Sequence, residues 1–278
     1  MQSQILTPAT FISKEAMRRI ISDIKDLRNN PLMAHGIYYE HDEADMLKGR
    51  ALIIGPADTP YADGFYLFKF QFPSNYPHSP PKVEFCTGDG FTRFNPNLYR
   101  TGKVCLSILN TWKGEPWSGC QTISSVLLAL CTVLNDEPLL NEPGITKTHR
   151  DFDGYNEIIK YKNIEVAIFG MLASVTAGTS VTADTSVAGP SVCATTDNAN
   201  SVISQNEFAV FGDIMRKYFL DNKEKIRGRV QAAIQAQAAA GAQAAAEAQA
   251  EAGGVVEQTI GIYKMTVKLD YKMLLTKF

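Results

Sequence analysis

One cysteine lies in a part of this chain where acyl-transfer chemistry could take place. Cys105 sits in the irregular segment 88–119, within the letters GKVCLSIL. Asn97 lies eight residues upstream and Asn110 five residues downstream. A cysteine nucleophile needs thiolate character and access, and acyl transfer needs a donor aimed at the developing oxyanion, which an asparagine amide can supply. Spacing alone leaves open the alternative that Cys105 is a small buried hydrophobe.

The other cysteines and the histidines favour neither a disulfide framework nor a metal site. The chain has five cysteines and no N-terminal secretory signal, which indicates a reducing compartment. No cysteine pair has CxxC spacing and the four histidines are scattered, so we predict no structural zinc. Cys86 and Cys131 are predicted to be core residues, and Cys120 to be more exposed. Cys193 falls in a low-complexity stretch.

Composition limits the class of protein. The 278 residues are 45% hydrophobic and 20% charged, which fits a globular protein of one or two domains. A net charge of −2 gives no support for a nucleic-acid surface. The longest apolar run, 166–175, is too short to span a bilayer, so no membrane partner is predicted. We expect a cytoplasmic protein, with the nucleus as a second location.

Hydrophobic patterning predicts the elements that must position Cys105. Residues 13–27 predict an amphipathic helix, capped by Ser13. Its predicted core stripe is Met17, Ile20, Ile21, Ile24 and Leu27. Short runs rich in β-branched and aromatic residues predict four strands. These strands are 36–40, 50–54, 64–72 and 82–85. One helix followed by an antiparallel meander indicates the α+β class.

Beyond the irregular segment, helical patterns alternate with low-complexity sequence. Helices are predicted over 122–135, 155–172 and 207–230. The stretch 173–206 has almost no charge and is predicted to be a flexible insertion. The Ala/Gln-rich stretch 231–252 favours either a solvated helix or disorder. The tail 260–278 regains apolar residues and is expected to dock back on the domain.

A series of motifs runs in one order along residues 13–172. After the first helix come GPADTPYADGFY, FPSNYPHSPPKVEF, FNPN, KVCLSILNTW, PWS and NEPG. In this order they resemble the catalytic domain of ubiquitin-conjugating enzymes, and most closely that of the large Z-type members. The resemblance implies a ubiquitin-conjugating fold with three parts. These are a catalytic domain over 1–172, the insertion 173–206, and a helical C-terminal extension over 207–278.

The resemblance also implies roles for residues around Cys105. Cys105 corresponds to the cysteine that accepts ubiquitin as a thioester. Asn97 corresponds to the asparagine that stabilises the oxyanion or orders the loop, and Asn141 approximately to the gate residue beside the incoming lysine. Pro96 would shape the turn. The family's usual histidine before this proline is Asn95 here, a change that the Z-type enzymes share.

Partners and cofactors follow from the same resemblance. Arg18, Arg19 and Lys25 on the first helix are predicted to contact the activating enzyme and the ligase, and Trp117 to anchor the active-site loop. Ubiquitin, a substrate lysine and these two enzymes are the expected partners. No metal or bound cofactor is expected, since the activating enzyme consumes the ATP. Gly119 replaces the proline that usually follows the Trp-Ser pair, which bears on the rigidity of the loop.

Three other functions are compatible with parts of the sequence. The chain could conjugate a ubiquitin-like modifier, because the local residues do not distinguish modifiers. It could bind ubiquitin without catalysis, although such relatives typically lack the cysteine. A cysteine hydrolase would need a histidine base near Cys105. The histidines, His35, His41, His78 and His149, form no hydrolase motif.

Overall fold

The computed structural model describes residues 12–176, 207–248 and 255–278. The helices in these residues are α1 (Lys14–Asn29), α2 (Ile123–Thr132), α3 (Phe152–Lys162), α4 (Met171–Thr176), α5 (Gly212–Ala248) and α6 (Tyr271–Leu275). The strands are β1 (Ile37–His41), β2 (Lys48–Ile54), β3 (Phe65–Gln71), β4 (Lys82–Phe85), β5 (Val256–Ile260) and β6 (Met265–Leu269). The predicted α+β class is confirmed.

The four predicted strands form one antiparallel sheet in sequence order, β1-β2-β3-β4. Leu52 pairs with Leu67, and Phe68 pairs with Phe85. The second sheet is the hairpin β5-β6, which the sequence analysis did not predict as strands. Most of the predicted insertion, with Cys193, lies outside the described residues, and its first residues continue α4 to Thr176.

Helix α1 buries a face that coincides only in part with the predicted stripe. Its buried side chains are Ala16, Ile20 and Asp23, and Ile24 and Leu27 pack partly buried against the core. Met17 and Ile21, predicted to be core residues, are 43% and 49% exposed, so that part of the prediction is wrong. A polar residue takes part of the buried face instead. Asp23 faces inward, and its Oδ2 accepts a 2.5 Å hydrogen bond from the Tyr76 hydroxyl. A hydrophobic pattern alone cannot show that a carboxylate occupies the buried face.

Strand β3 is buried on both faces, which explains its nearly continuous aromatic sequence. On one face Tyr66 packs edge-on against Phe94, with ring centroids 6.1 Å apart. On the other, Phe65 packs edge-on against Tyr218 of α5 at the same centroid distance. The C-terminal extension therefore covers a sheet face that would otherwise expose aromatic side chains.

The later helices depart from the predicted pattern in two places. The helix predicted over 155–172 begins at Phe152 and passes through a π-helical stretch, Asn163–Gly170. There the Asn163 amide accepts from the Tyr66 hydroxyl at 2.6 Å and donates to the Ala62 carbonyl at 2.9 Å. The Ala/Gln-rich stretch continues α5 as far as Ala248, which supports the helical alternative.

One buried carboxylate contributes to the docking of α5. Asp63 is almost fully buried, and its Oδ1 accepts from the Tyr218 hydroxyl at 2.7 Å and from Lys225 Nζ at 3.2 Å. Arg229 Nη2 lies 2.7 Å from Asp63 Oδ2. A buried acid is stable only when it is paired and hydrogen-bonded, so these three side chains of α5 are required partners.

We expect Asp63→Ala to lower the free energy of unfolding by about 2 kcal/mol and to loosen α5. The loss is moderate because Lys225 and Arg229 are partly exposed and can be rehydrated. Urea unfolding would measure it, and limited proteolysis would locate the loosened segment. Asp213→Ala is the matched control, since Asp213 pairs with Arg216 but is 96% exposed. Equal stability of the two variants would contradict the anchoring role.

Candidate active site

Cys105 is held by a pair of hydrogen bonds to Asn97. Cys105 lies two residues before the short 3₁₀ turn Ser107–Leu109. It is 2% exposed, which is less access than we predicted for a nucleophile. Its backbone N–H donates to the Asn97 carbonyl at 2.9 Å. In return, Asn97 Nδ2 donates to the Cys105 carbonyl at 2.7 Å. The two predicted residues are therefore brought together, and their separation is fixed by reciprocal bonds.

The Asn97 amide keeps unused hydrogen-bonding capacity at this position. Its Nδ2 has two hydrogens, and the Cys105 carbonyl takes one of them. Its Oδ1 is buried without a hydrogen-bond partner among the described residues. An unpartnered buried polar atom costs about 1–3 kcal/mol. The second Nδ2 hydrogen is the group that can donate to the oxygen of an incoming acyl group.

Thr111 closes the turn that carries the cysteine. Its hydroxyl lies 2.8 Å from the Val104 carbonyl and accepts from the Leu106 N–H at 2.9 Å. The Thr111 N–H also donates to the Leu106 carbonyl at 3.1 Å. The residues on both sides of Cys105 are thus bound to one threonine, which the sequence analysis did not identify. Its only sequence signal was its place in the motif KVCLSILNTW.

Trp117 joins the far end of the loop to the proline-rich segment. Its backbone N–H donates to Asn110 Oδ1 at 2.8 Å, and its indole N–H donates to the Pro77 carbonyl at 2.7 Å. Asn110 adopts a left-handed conformation at φ 56°, which asparagine tolerates better than most residues. The indole is thereby placed as an anchor of the loop.

Asn95 is the hydrogen-bonding centre of the loop before Cys105. It is fully buried, and its Nδ2 donates to the Tyr61 hydroxyl at 2.8 Å and to the Val133 carbonyl at 2.7 Å. Its Oδ1 accepts from the Asn97 N–H at 2.8 Å. An amide supplies two donors, whereas a neutral imidazole supplies one, so asparagine meets a demand that histidine could not meet here. Burial raises the pKa of Tyr61, which keeps the phenol neutral.

Asn141 lies in the same network. Its Nδ2 lies 3.4 Å from Asn95 Oδ1 and donates to the Val133 carbonyl at 3.1 Å, while its Oδ1 accepts from Asn135 at 3.0 Å. These contacts connect the 3₁₀ turn Pro138–Asn141 to the loop of Cys105. The gate role beside the incoming lysine stays a prediction.

The three predicted partner-binding residues of α1 differ in their surroundings. Arg18 and Lys25 are exposed. Arg19 instead forms internal contacts. Its guanidinium donates to Asp23 Oδ1 at 2.8 Å, to the Gly119 carbonyl at 2.7 Å and to the Gln121 carbonyl at 2.6 Å. Arg19 therefore fixes the segment before α2, which gives this glycine-containing loop an anchor.

The other described cysteines have no comparable site. Cys120 is exposed, and Cys86 and Cys131, predicted to be core residues, are half-buried. Cys86 directly follows β4, and Cys131 lies in the last turn of α2. Burial raises the pKa of Cys131. Burial raises the pKa of Cys86 to about 12, against the opposing effect of Lys69.

The raised pKa of Cys86 predicts that an alkylating reagent modifies Cys86 more slowly than Cys120. At pH 8 only about 10⁻⁴ of Cys86 would be thiolate, the form that reacts. We expect iodoacetamide at pH 8 to modify the exposed Cys120 while Cys86 remains unmodified. Peptide mass spectrometry would measure both. Equal labelling rates at the two positions would contradict the burial of the Cys86 thiol.

The part of the chain that the structure describes lacks a metal-ligand cluster, a histidine bonded to Cys105 and a membrane-length apolar helix. They contain no cluster of three or more potential metal ligands. All four histidines are described, and none hydrogen-bonds Cys105; His41, His78 and His149 contact other residues instead. Within the described ranges, no helix has the length and apolar character needed to cross a bilayer.

Comparison with known proteins agrees with this geometry. The family model described as "Ubiquitin-conjugating enzyme" matches residues 19–162. The chain is 45% identical over 163 residues to "Ubiquitin-conjugating enzyme E2 Z" of Xenopus tropicalis, covering 58% of this chain and 51% of that protein. It is 45% identical over 161 residues to the Homo sapiens protein of the same name, covering 57% and 45%. The "Probable ubiquitin-conjugating enzyme protein 17" of Caenorhabditis elegans is 39% identical over 172 residues, covering 59% and 24%.

The chain spans about half the length of the E2 Z proteins that it matches. The family-model match over residues 19–162 covers the four-stranded sheet, the loop of Cys105 and the helices α2 and α3. The family model alone accounts for more than half of the chain. The chain therefore belongs to the ubiquitin-conjugating enzyme family and is similar to its Z type.

Proposed function

We propose that this chain accepts ubiquitin as a thioester on Cys105 and passes it to a substrate lysine or to a ligase cysteine. The observation that carries the proposal is the reciprocal pair of bonds between Cys105 and Asn97, at 2.9 Å and 2.7 Å. It places an amide donor beside the one cysteine of the family motif. The names of the E2 Z relatives support ubiquitin as the modifier.

The proposed chemistry is two acyl transfers. In the first, the Cys105 thiolate bonds to the carbonyl carbon of the modifier's C-terminal glycine, and the bond to the activating enzyme's cysteine breaks, releasing that thiolate. In the second, a lysine amine attacks the same carbon, the bond to Cys105 Sγ breaks, and the amine loses a proton to water. Asn97 stabilises the negative charge that develops on the carbonyl oxygen in both steps.

The chain itself contributes orientation rather than a strong base. Asn95 and Thr111 fix the backbone on either side of the nucleophile, and fixed geometry lowers the entropic cost of the transfer. No cofactor is assigned to the chain, because the activating enzyme spends the ATP. Arg18 and Lys25, exposed on α1, are the proposed contacts for the activating enzyme and the ligase.

A charging assay tests the proposal. The protein is mixed with ubiquitin, ATP and each available activating enzyme, then analysed on non-reducing and reducing gels. A thiol-sensitive band one ubiquitin heavier, absent in Cys105→Ala, is the expected result and identifies the activating enzyme. If no enzyme charges it with ubiquitin while a ubiquitin-like modifier does charge it, the choice of modifier is wrong. If nothing charges Cys105, the catalytic proposal itself fails.

A further inference from the structure

The turn of the C-terminal hairpin is bound to the catalytic domain by specific hydrogen bonds. Asp151, which is nearly buried, accepts at Oδ2 from the N–H groups of Gly261 at 3.0 Å and Ile262 at 2.9 Å. Arg100 Nη2 donates to the Tyr263 carbonyl at 2.6 Å. These bonds fix the turn beside the segment that leads to Cys105.

The side chain of Tyr263 lies between two parts of the candidate active site. Its hydroxyl donates to Glu142 Oε2 at 2.7 Å, directly after the turn that ends at Asn141. Its ring centroid is 5.4 Å from the Arg93 guanidinium carbon, at the distance of a cation–π contact. Burial, and then the neighbouring Glu142 carboxylate, raise the pKa of Tyr263, which keeps the phenol a donor.

Arg93, which contacts the Tyr263 ring, also hydrogen-bonds the loop that contains Asn97. Its Nε donates to the Asn95 carbonyl at 3.0 Å, and its Nη2 donates to the Pro96 carbonyl at 2.7 Å. The guanidinium also stacks on Tyr99, 3.3 Å from the ring centroid. One rigid, planar cation therefore spans two consecutive carbonyls of the loop.

We propose that Tyr263 is a positioning residue of the catalytic centre. Through Arg93 it holds the loop of residues 95–97, and through Glu142 it holds the turn of Asn141, so that both stay in register around Cys105. The C-terminal hairpin is then part of the active site's support and not only a packed appendage. This inference rests on the proposed function for its catalytic consequence, whereas the ordering of the loop can be measured without catalysis.

The test compares Tyr263→Phe, which removes only the hydroxyl, with Tyr263→Ala, which also removes the ring. Tyr271→Phe is the matched control, because Tyr271 lies in the same extension and packs on Tyr161, away from the loop. The first readout is single-turnover discharge of a preformed Cys105–ubiquitin thioester to free lysine at saturating lysine. We expect a loss of roughly 10-fold for Tyr263→Ala and a smaller loss for Tyr263→Phe, because small displacements of a catalytic group slow acyl transfer strongly.

The second readout is amide hydrogen exchange over residues 93–106, which needs no modifier. We expect faster exchange there in Tyr263→Ala, in Tyr263→Phe to a lesser degree, and not in Tyr271→Phe. Glu142→Gln, which retains an acceptor, should keep the wild-type exchange. Unchanged exchange over 93–106 in both Tyr263 variants would overturn the inference, even if the wild-type protein charges normally. A wild type that does not charge would overturn the proposed function and leave hydrogen exchange to decide the positioning role.

Discussion

Cys105→Ser should give a ubiquitin adduct that survives thiol reductant, with turnover reduced by at least about 10³-fold. Serine keeps the size of the side chain, so the two bonds between residue 105 and Asn97 can form unchanged. The adduct, however, is an oxygen ester, which thiols do not cleave readily. A hydroxyl nucleophile also needs a nearby base, and none of the four histidines hydrogen-bonds residue 105 among the described residues.

Reducing and non-reducing gels of the charged protein measure this effect. Cys120→Ser is the matched control, because Cys120 is exposed and should leave charging and turnover unchanged. A reductant-sensitive adduct that persists in Cys105→Ser would show that another cysteine carries the modifier. Cys120 would then be the first position to examine, since it is the exposed thiol of the described residues.

Asn97→Ala should slow discharge of the thioester to lysine by roughly 10² to 10³. The amide hydrogen not used by the Cys105 carbonyl is the donor that would stabilise the oxyanion. The substitution also removes the bond to that carbonyl, so the loop should lose stability as well. We therefore expect the main effect on kcat, the discharge rate at saturating lysine. The KM for lysine should change by a smaller factor.

A second variant tests whether the Asn97 side chain must donate. Asn97→Asp retains the shape but can donate neither to the Cys105 carbonyl nor to the oxyanion, so its rate should fall about as far as that of Asn97→Ala. Asn75→Ala is the control, because Asn75 is exposed and bonds only to Ser79 among the contacts found for its side chain. A normal discharge rate in Asn97→Asp would show that neither donation from the Asn97 side chain is needed, which would contradict the proposed role of Asn97.

The sequence by itself determined the four-stranded sheet and marked Cys105 as the candidate nucleophile. Alternation and turn residues placed the four strands within two residues of their observed ends, because the apolar period of a strand is local. The motif around Cys105 marked the loop in which Asn97 bonds to Cys105, and the tail 260–278 does dock through residues such as Met265 and Leu274. The hairpin itself was missed, since its strands are short and its first strand is mostly polar.

Only the tertiary structure decided which polar side chains serve the site. Asn95 was recognised as a substitution, but its bonds to Tyr61 and Val133 depend on residues 34 and 38 positions away. Arg19 carried the same sequence signal as Arg18, yet it bonds internally to carbonyls about 100 positions away. No pattern in the sequence pointed to Tyr263 as a residue of the site. Hydrogen bonds of this kind depend on where distant segments meet, and neither periodicity nor local spacing encodes that meeting.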